Sequence, residues 1–124
     1  MQIRVYYEDT DAGGIVYHSN YLNYCERARS EYFFAKDMLP IIDDAHFVVR
    51  KMECDFLASA KFSDILTIST KILKLRNSSF ELYQEITIGS KVIFKTTVLL
   101  VLVKDGKVQR ITNSIKNLIL SMFS

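Results

Sequence analysis

Two connections of two residues each constrain the second half of this chain more than any other feature. Gly89-Ser90 separates FELYQEITI from KVIFKTTVLLVLV, and Asp105-Gly106 stands between Lys104 and Lys107. A two-residue link closes a hairpin and cannot carry a crossover, so the flanking strands run antiparallel. Upstream, FVVRKMECDFL and DILTISTKILKL have the β-branched and aromatic content of further strands. By period two, Phe80, Leu82, Ile86 and Ile88 share one face. On the next strand Val92, Phe94, Val98, Leu100 and Leu102 share another, with Glu81, Glu85, Lys91 and Lys95 opposite. From Val98 to Val103 both faces are apolar, which marks a central strand or a subunit contact.

Ahead of these strands the period changes. Tyr21, Tyr24, Cys25, Ala28, Tyr32 and Ala35 fall on one helical face, with Asn23, Glu26, Arg27 and Ser30 on the other. Ser19 is the expected N-cap, and Arg27 can pair with Glu31 one turn on. Pro40 disfavours helical geometry at Leu39, so the helix ends before it. Residues 2–7 alternate as a short strand, and NSIKNLILSMFS reads as a short amphipathic helix capped by Asn113. The expected architecture is α+β, a long helix covering one face of an antiparallel sheet of about five strands. At 124 residues the chain is expected to be one domain, 1–124.

Composition narrows the function. Sixteen basic and fourteen acidic residues give a net charge of +2, with the basic residues scattered along strands, so no nucleic-acid partner is expected. The N-terminus MQIRVYYED has no apolar segment of signal-peptide length, no window reaches the length of a spanning helix, and the two cysteines, Cys25 and Cys54, are too few for a disulfide framework. The expectation is a cytosolic, or cytoplasmic, protein with free thiols and no transmembrane segment.

Residues 6–24, YYEDTDAGGIVYHSNYLNY, stand apart from the rest. The DTDAGG start is not a calcium loop: counted from Asp9, Gly13 falls at the fifth position and Asn20 at the twelfth, where ligands are required. Gly13-Gly14 is also too little for a phosphate-cradling loop. No metal is expected. A loop running into a helix N-terminus does present free N–H groups to a developing oxyanion, and glycines let backbone approach a substrate. A carboxylate at Asp11 beside that spot could attack a carbonyl or orient a water. Asp and Gly before a helix are also ordinary turn chemistry, and Cys25 on the apolar stripe reads as core. From the residues alone, both readings of the loop stand.

The stretch YYEDTDAGGIVYHSNYLNYCERAR closely resembles the signature of the hotdog-fold acyl-CoA thioesterases of the 4-hydroxybenzoyl-CoA thioesterase family, in its YbgC-like, Tol-Pal-associated branch. The likeness continues through FVVRKMECDFLASAKFSDILTI and LRNSSFELYQEI. It implies hydrolysis of acyl-CoA thioesters, short-chain ones by the habit of that branch, with coenzyme A as part of the substrate and no separate cofactor. It implies Asp11 as catalytic carboxylate, His18 as donor of a backbone N–H to the thioester carbonyl, and Tyr7 and the His18 side chain as assistants. Gly13 and Gly14 shape the loop. Arg76, Asn77, Ser78 and Ser79 occupy the positions where relatives hold the coenzyme phosphates, although only Arg76 is basic here, and Ser59 and Lys61 replace a Pro and an Arg of many relatives. The resemblance further implies a homo-oligomer, a dimer or a dimer-of-dimers homotetramer, and an acyl carrier protein as a further partner. A non-catalytic acyl or carrier-protein binding module serving the cell envelope is the alternative, and a hotdog dehydratase lacks its motif here.

Overall fold

The computed structural model describes residues 1–124. Seven strands form one antiparallel sheet: β1 (Gln2–Arg4), β2 (Ile41–Ile42), β3 (Ala45–Phe56), β4 (Ile65–Leu75), β5 (Ser79–Ile88), β6 (Lys91–Lys104) and β7 (Lys107–Val108). Two helices accompany it, α1 (His18–Phe34) and α2 (Asn113–Phe123). The strand order is β1-β4-β5-β6-β3-β2, with β7 beside β6. The expected α+β architecture and both two-residue hairpins are present. The excess over five strands comes from β2 and β7, which at two residues each carry no readable period.

Register shifts interrupt β3 between Val49 and Lys51, β4 between Ile72 and Lys74, and the β5–β6 pairing between Ile86 and Thr87. An extra residue on one strand bends it and increases its twist, which curves the long strands around α1. The third shift also breaks the expected alternation on β6: Ile93 and Phe94 are both buried, while Val92 is only half-buried.

The core divides into two apolar clusters. One gathers Tyr21, Tyr24, Cys25 and Ala28 of α1 against Leu66, Ile68, Ile86 and Phe94; the other gathers Phe33, Phe80, Leu82, Val98, Ile119 and Phe123. Between them lies a polar waist. Gln84, fully buried, donates through Nε2 to the Cys25 carbonyl and to Thr70 Oγ1, each at 3.0 Å, and accepts from Arg29 Nη1 at 3.0 Å. A buried amide is tolerated only when its donors and acceptor are met, and this one is.

Helix starts differ from the expected caps. Tyr17, not Ser19, is the N-cap of α1, because Tyr17 N–H and Asn20 Nδ2 both donate to the Asp9 carbonyl, at 3.0 and 2.9 Å, and fix the chain before Ser19. Thr112, not Asn113, caps α2, its hydroxyl accepting from Ile115 N–H. Arg27 lies over the Tyr24 ring instead of pairing with Glu31, trading a solvated ion pair for contact with an aromatic face. The buried stripe of α1 ends on Phe33, with Tyr32 half-buried and Ala35 exposed.

One long edge of the sheet stays open. β3 pairs with β6 along one side, but on its other side only Ala45 and His46 are paired, to β2. Val48, Val49 and Phe56 of this strand are exposed.

Candidate active site

The segment between β1 and α1 is a closed loop built by its own backbone. Thr10 bridges Val16, Asp11 N–H donates to the Ile15 carbonyl at 2.9 Å, and Gly14 N–H donates to the Asp11 carbonyl at 3.0 Å. Val16 N–H donates to the Ala60 carbonyl at 2.9 Å, and Ile15 bridges Lys61, so the loop is tied to the segment after β3. Tyr21, on the first turn of α1, accepts the Ala60 N–H on its hydroxyl at 3.0 Å and stacks its ring on Phe94. Burial pushes the Tyr21 hydroxyl above its ordinary pKa, with the Ala60 N–H opposing and the Asp64 charge adding to the rise.

At the loop tip the Asp11 carboxylate accepts the Gly13 N–H through Oδ1 at 2.8 Å, while Oδ2 accepts nothing from the chain. A Cβ at Gly13 would sit 3.2 Å from that Oδ1; one at Gly14 would meet nothing, but Gly14 holds φ +79°. The first glycine makes room and the second supplies the turn. Asp11 is exposed, as is His18 at the first position of α1. His18 and Ser19 N–H have no acceptor in the chain, so the positive end of the helix is open.

An apolar shelf surrounds this opening. The His18 ring lies 4.4 Å from Tyr17 and 6.2 Å from Phe56, and Tyr7 meets Phe62 edge-on at 5.9 Å. Tyr7, Tyr17, Phe56, Leu57 and Phe62 are all exposed. Such a group of large apolar side chains around a charged loop marks a surface that binds something. The arrangement offers a free carboxylate oxygen, two free N–H donors and an apolar rest for a substrate body.

The sequence-derived site residues therefore divide. Asp11, Gly13, Gly14 and His18 belong to one loop–helix junction, and Tyr7 stands on the adjoining shelf with no hydrogen bond to Asp11. Arg76, Asn77, Ser78 and Ser79 do not join them. That turn packs against the start of α2, where the Asn77 carbonyl accepts the Ile111 N–H at 2.6 Å, Asn77 Oδ1 accepts from Lys116 and Arg76 pairs with Glu81 at 3.6 Å. From Ser79 to Ile86, whose partner Phe94 underlies Tyr21, β5 runs roughly 23 Å. Asp9, Asn20, Phe56 and Phe62 also shape the junction without any signal of spacing. Tyr21 does have a readable apolar period, but that period speaks of packing, not of a hydroxyl holding a loop.

A cavity of about 430 Å³ lies elsewhere, between the later turns of α1 and the start of β3, and none of the loop residues lines it.

A long helix wrapped by a curled antiparallel sheet, entered through a glycine-bearing loop, is the hotdog class of α+β protein. The Thioesterase superfamily profile matches residues 13–94, and the chain belongs to that superfamily. It is 51% identical over 86 residues to the acyl-CoA thioesterase YbgC of Helicobacter pylori, a match spanning 69% of this chain and 65% of that one. To the acyl-CoA thioester hydrolase YbgC of Escherichia coli it is 39% identical over 107 residues, spanning 83% and 79% of the two chains. Among solved structures, the "Probable Thioesterase from Bartonella henselae" superposes with a TM-score of 0.85 at 34% identity, covering 90% of this chain and 97% of that one. No helix is long and apolar enough to cross a membrane.

Proposed function

We propose that this protein hydrolyses acyl-CoA thioesters, short-chain ones first, in the cytosol, with Asp11 and the N-terminus of α1 as its working parts. The observation that carries the reading is the juxtaposition in one hydrogen-bonded loop of a carboxylate with a free oxygen and a helix start with two free N–H groups. The YbgC relatives, named for this activity, are 51% and 39% identical to the chain over 86 and 107 residues.

The thioester carbonyl oxygen accepts from His18 N–H, which favours the tetrahedral oxyanion. Asp11 Oδ2 then acts in one of two ways. As a nucleophile it forms an acyl-enzyme anhydride and expels the coenzyme thiolate, after which water cleaves the anhydride. As a general base it takes a proton from water, which attacks directly. In both cases the products are the free acid and the protonated thiol. Tyr7 and the His18 ring flank the acyl group on the shelf. Trapping of the acyl-enzyme, or ¹⁸O from water found in Asp11 after a single turnover, marks the first route, because water that opens the anhydride at the Asp11 carbonyl leaves its oxygen there; failure of both marks the second.

The site is completed by a second copy. The open edge of β3 ends at Phe56 beside His18, so a twofold pairing of β3 with its counterpart would roof the shelf. Antiparallel pairing reverses the partner end for end and brings its 76–79 turn to the Asp11 end, where Arg76 and the neighbouring polar residues meet coenzyme phosphates. The test is thiol release from aliphatic and aromatic acyl-CoA esters by the native protein and Asp11→Asn. Turnover reduced about 10²–10⁴-fold in a folded variant is expected. No turnover by the native protein on any ester overturns the proposal in favour of an acyl-binding module.

A further inference from the structure

The cavity beside the later turns of α1 has walls from Phe33, Phe47, Phe80, Leu100 and Phe123 and a volume of about 430 Å³, within the range of small-molecule sites. One cation lines it. Arg29 is partly buried, forms no ion pair, and has as its hydrogen-bond partner the neutral Gln84 oxygen. Gln84 cannot turn to offer anything else, because its amide nitrogen is committed to the Cys25 carbonyl and Thr70. One N–H of the Arg29 guanidinium is therefore held by Gln84, and the other four have no acceptor in the chain. Burial pulls its pKa below the ordinary value, with the Cys25 and Glu26 charges opposing, and an Arg keeps its charge through such a shift. This cation has a neutral hydrogen-bond partner and no carboxylate within ion-pair distance, so an anion entering the cavity could pair with it. The other polar lining groups do not supply it. Glu26 is exposed and accepts from Ser30 Oγ at 3.1 Å, and His46 is exposed.

We propose that this cavity is a binding site for a monocarboxylate with a compact apolar body, its carboxylate paired to Arg29 and its body among the phenylalanines. Glu26 at the rim opposes a second negative charge, which favours a carboxylate over a phosphate. Two sources carry this chemistry: a free carboxylic acid, or the far carboxyl of an acyl thioester whose reacting end lies at the partner's Asp11. The second source rests on the thioesterase and dimer readings above; the first does not.

The experiment is calorimetric titration of the full chain with hexanoate and with benzoate, against hexanol and benzyl alcohol. It is repeated on Arg29→Gln and Arg29→Lys and paired with kcat/KM for glutaryl-CoA relative to valeryl-CoA. Each acid is expected to bind the native protein roughly tenfold or more tighter than its alcohol, a margin lost in Arg29→Gln and partly kept in Arg29→Lys. A glutaryl-to-valeryl ratio that falls in Arg29→Gln assigns the site to the acyl group; an unchanged ratio with acid binding lost assigns it to the free acid. Equal binding of acid and alcohol by the native protein, a comparison that needs no variant and no turnover, overturns the proposal whatever Asp11 does.

Discussion

Asp11 depends on two glycines with different duties, and substitution separates them. Gly13→Ala places a Cβ 3.2 Å from Asp11 Oδ1, so it should move the carboxylate and lower kcat with little change in the urea midpoint. Gly14→Ala meets no atom but must hold φ +79°, so it should lower stability by about 1–2 kcal/mol. His18 permits a similar separation. It is the first residue of α1, where proline is accepted, and Tyr17 before it is already extended at ψ 135°. His18→Pro should therefore fold while losing the N–H, with a fall in kcat of about 10²–10³-fold, and His18→Ala should fall less than tenfold if the backbone is the donor. Comparing both by circular dichroism and thiol release decides which part of His18 matters. These four residues were legible because a carboxylate, two glycines and an imidazole just ahead of an apolar stripe are chemically conspicuous. Asp9 and Asn20 were not, because their part is a carbonyl and an amide meeting across eleven residues.

Elements were legible where period had room to express itself. The four long strands and both helices follow from periods of two and 3.6, whereas β2 and β7 are too short to show one and the bulges erase it locally. The caps fall one or two residues before the expected ones, because contacts made on packing choose them: bonds of Tyr17 and Asn20 to the Asp9 carbonyl start α1, and the Thr112 hydroxyl reaching the Ile115 N–H starts α2. Thr112→Ala, at the observed cap of α2, should cost about 1 kcal/mol in urea unfolding, and Asn113→Ala much less. Tyr21 joins helix to loop in a way no pattern reveals. Tyr21→Phe keeps the stack on Phe94 but leaves the Ala60 N–H without an acceptor, a loss of roughly 1–3 kcal/mol by the same measurement.

At the scale of the whole molecule, the unpaired edge of β3 is where the proposed pairing with a second copy can be tested. Val49→Lys on that strand should shift sedimentation toward the monomer and reduce thiol release in parallel; an active monomer would exclude the roofed site. The apolar run from Val98 to Val103 marks a central strand or a subunit contact, and β6 lies between β5 and β3. The open edge was not legible, since it depends on which strands end up beside which. Alkaline behaviour also belongs to the whole. Burial raises the Cys25 thiol to about 12, with Arg29 opposing, and raises the Tyr21 and Tyr24 hydroxyls. Above about pH 9 the unfolded chain sheds these protons while the folded chain keeps them, so stability is fully present below that pH and falls as pH rises beyond it. The urea midpoint should fall from about pH 9 upward, and less steeply in Cys25→Ala. The polar waist at Gln84 has a consequence for how this fold can change. Because it parts the apolar interior in two, substitutions on opposite sides, such as Leu66→Ala with Met122→Ala, should have additive free energies within about 0.5 kcal/mol. Pairs on one side, such as Leu66→Ala with Ile68→Ala, should not. Each end of the protein is then free to accumulate replacements without regard to the history of the other.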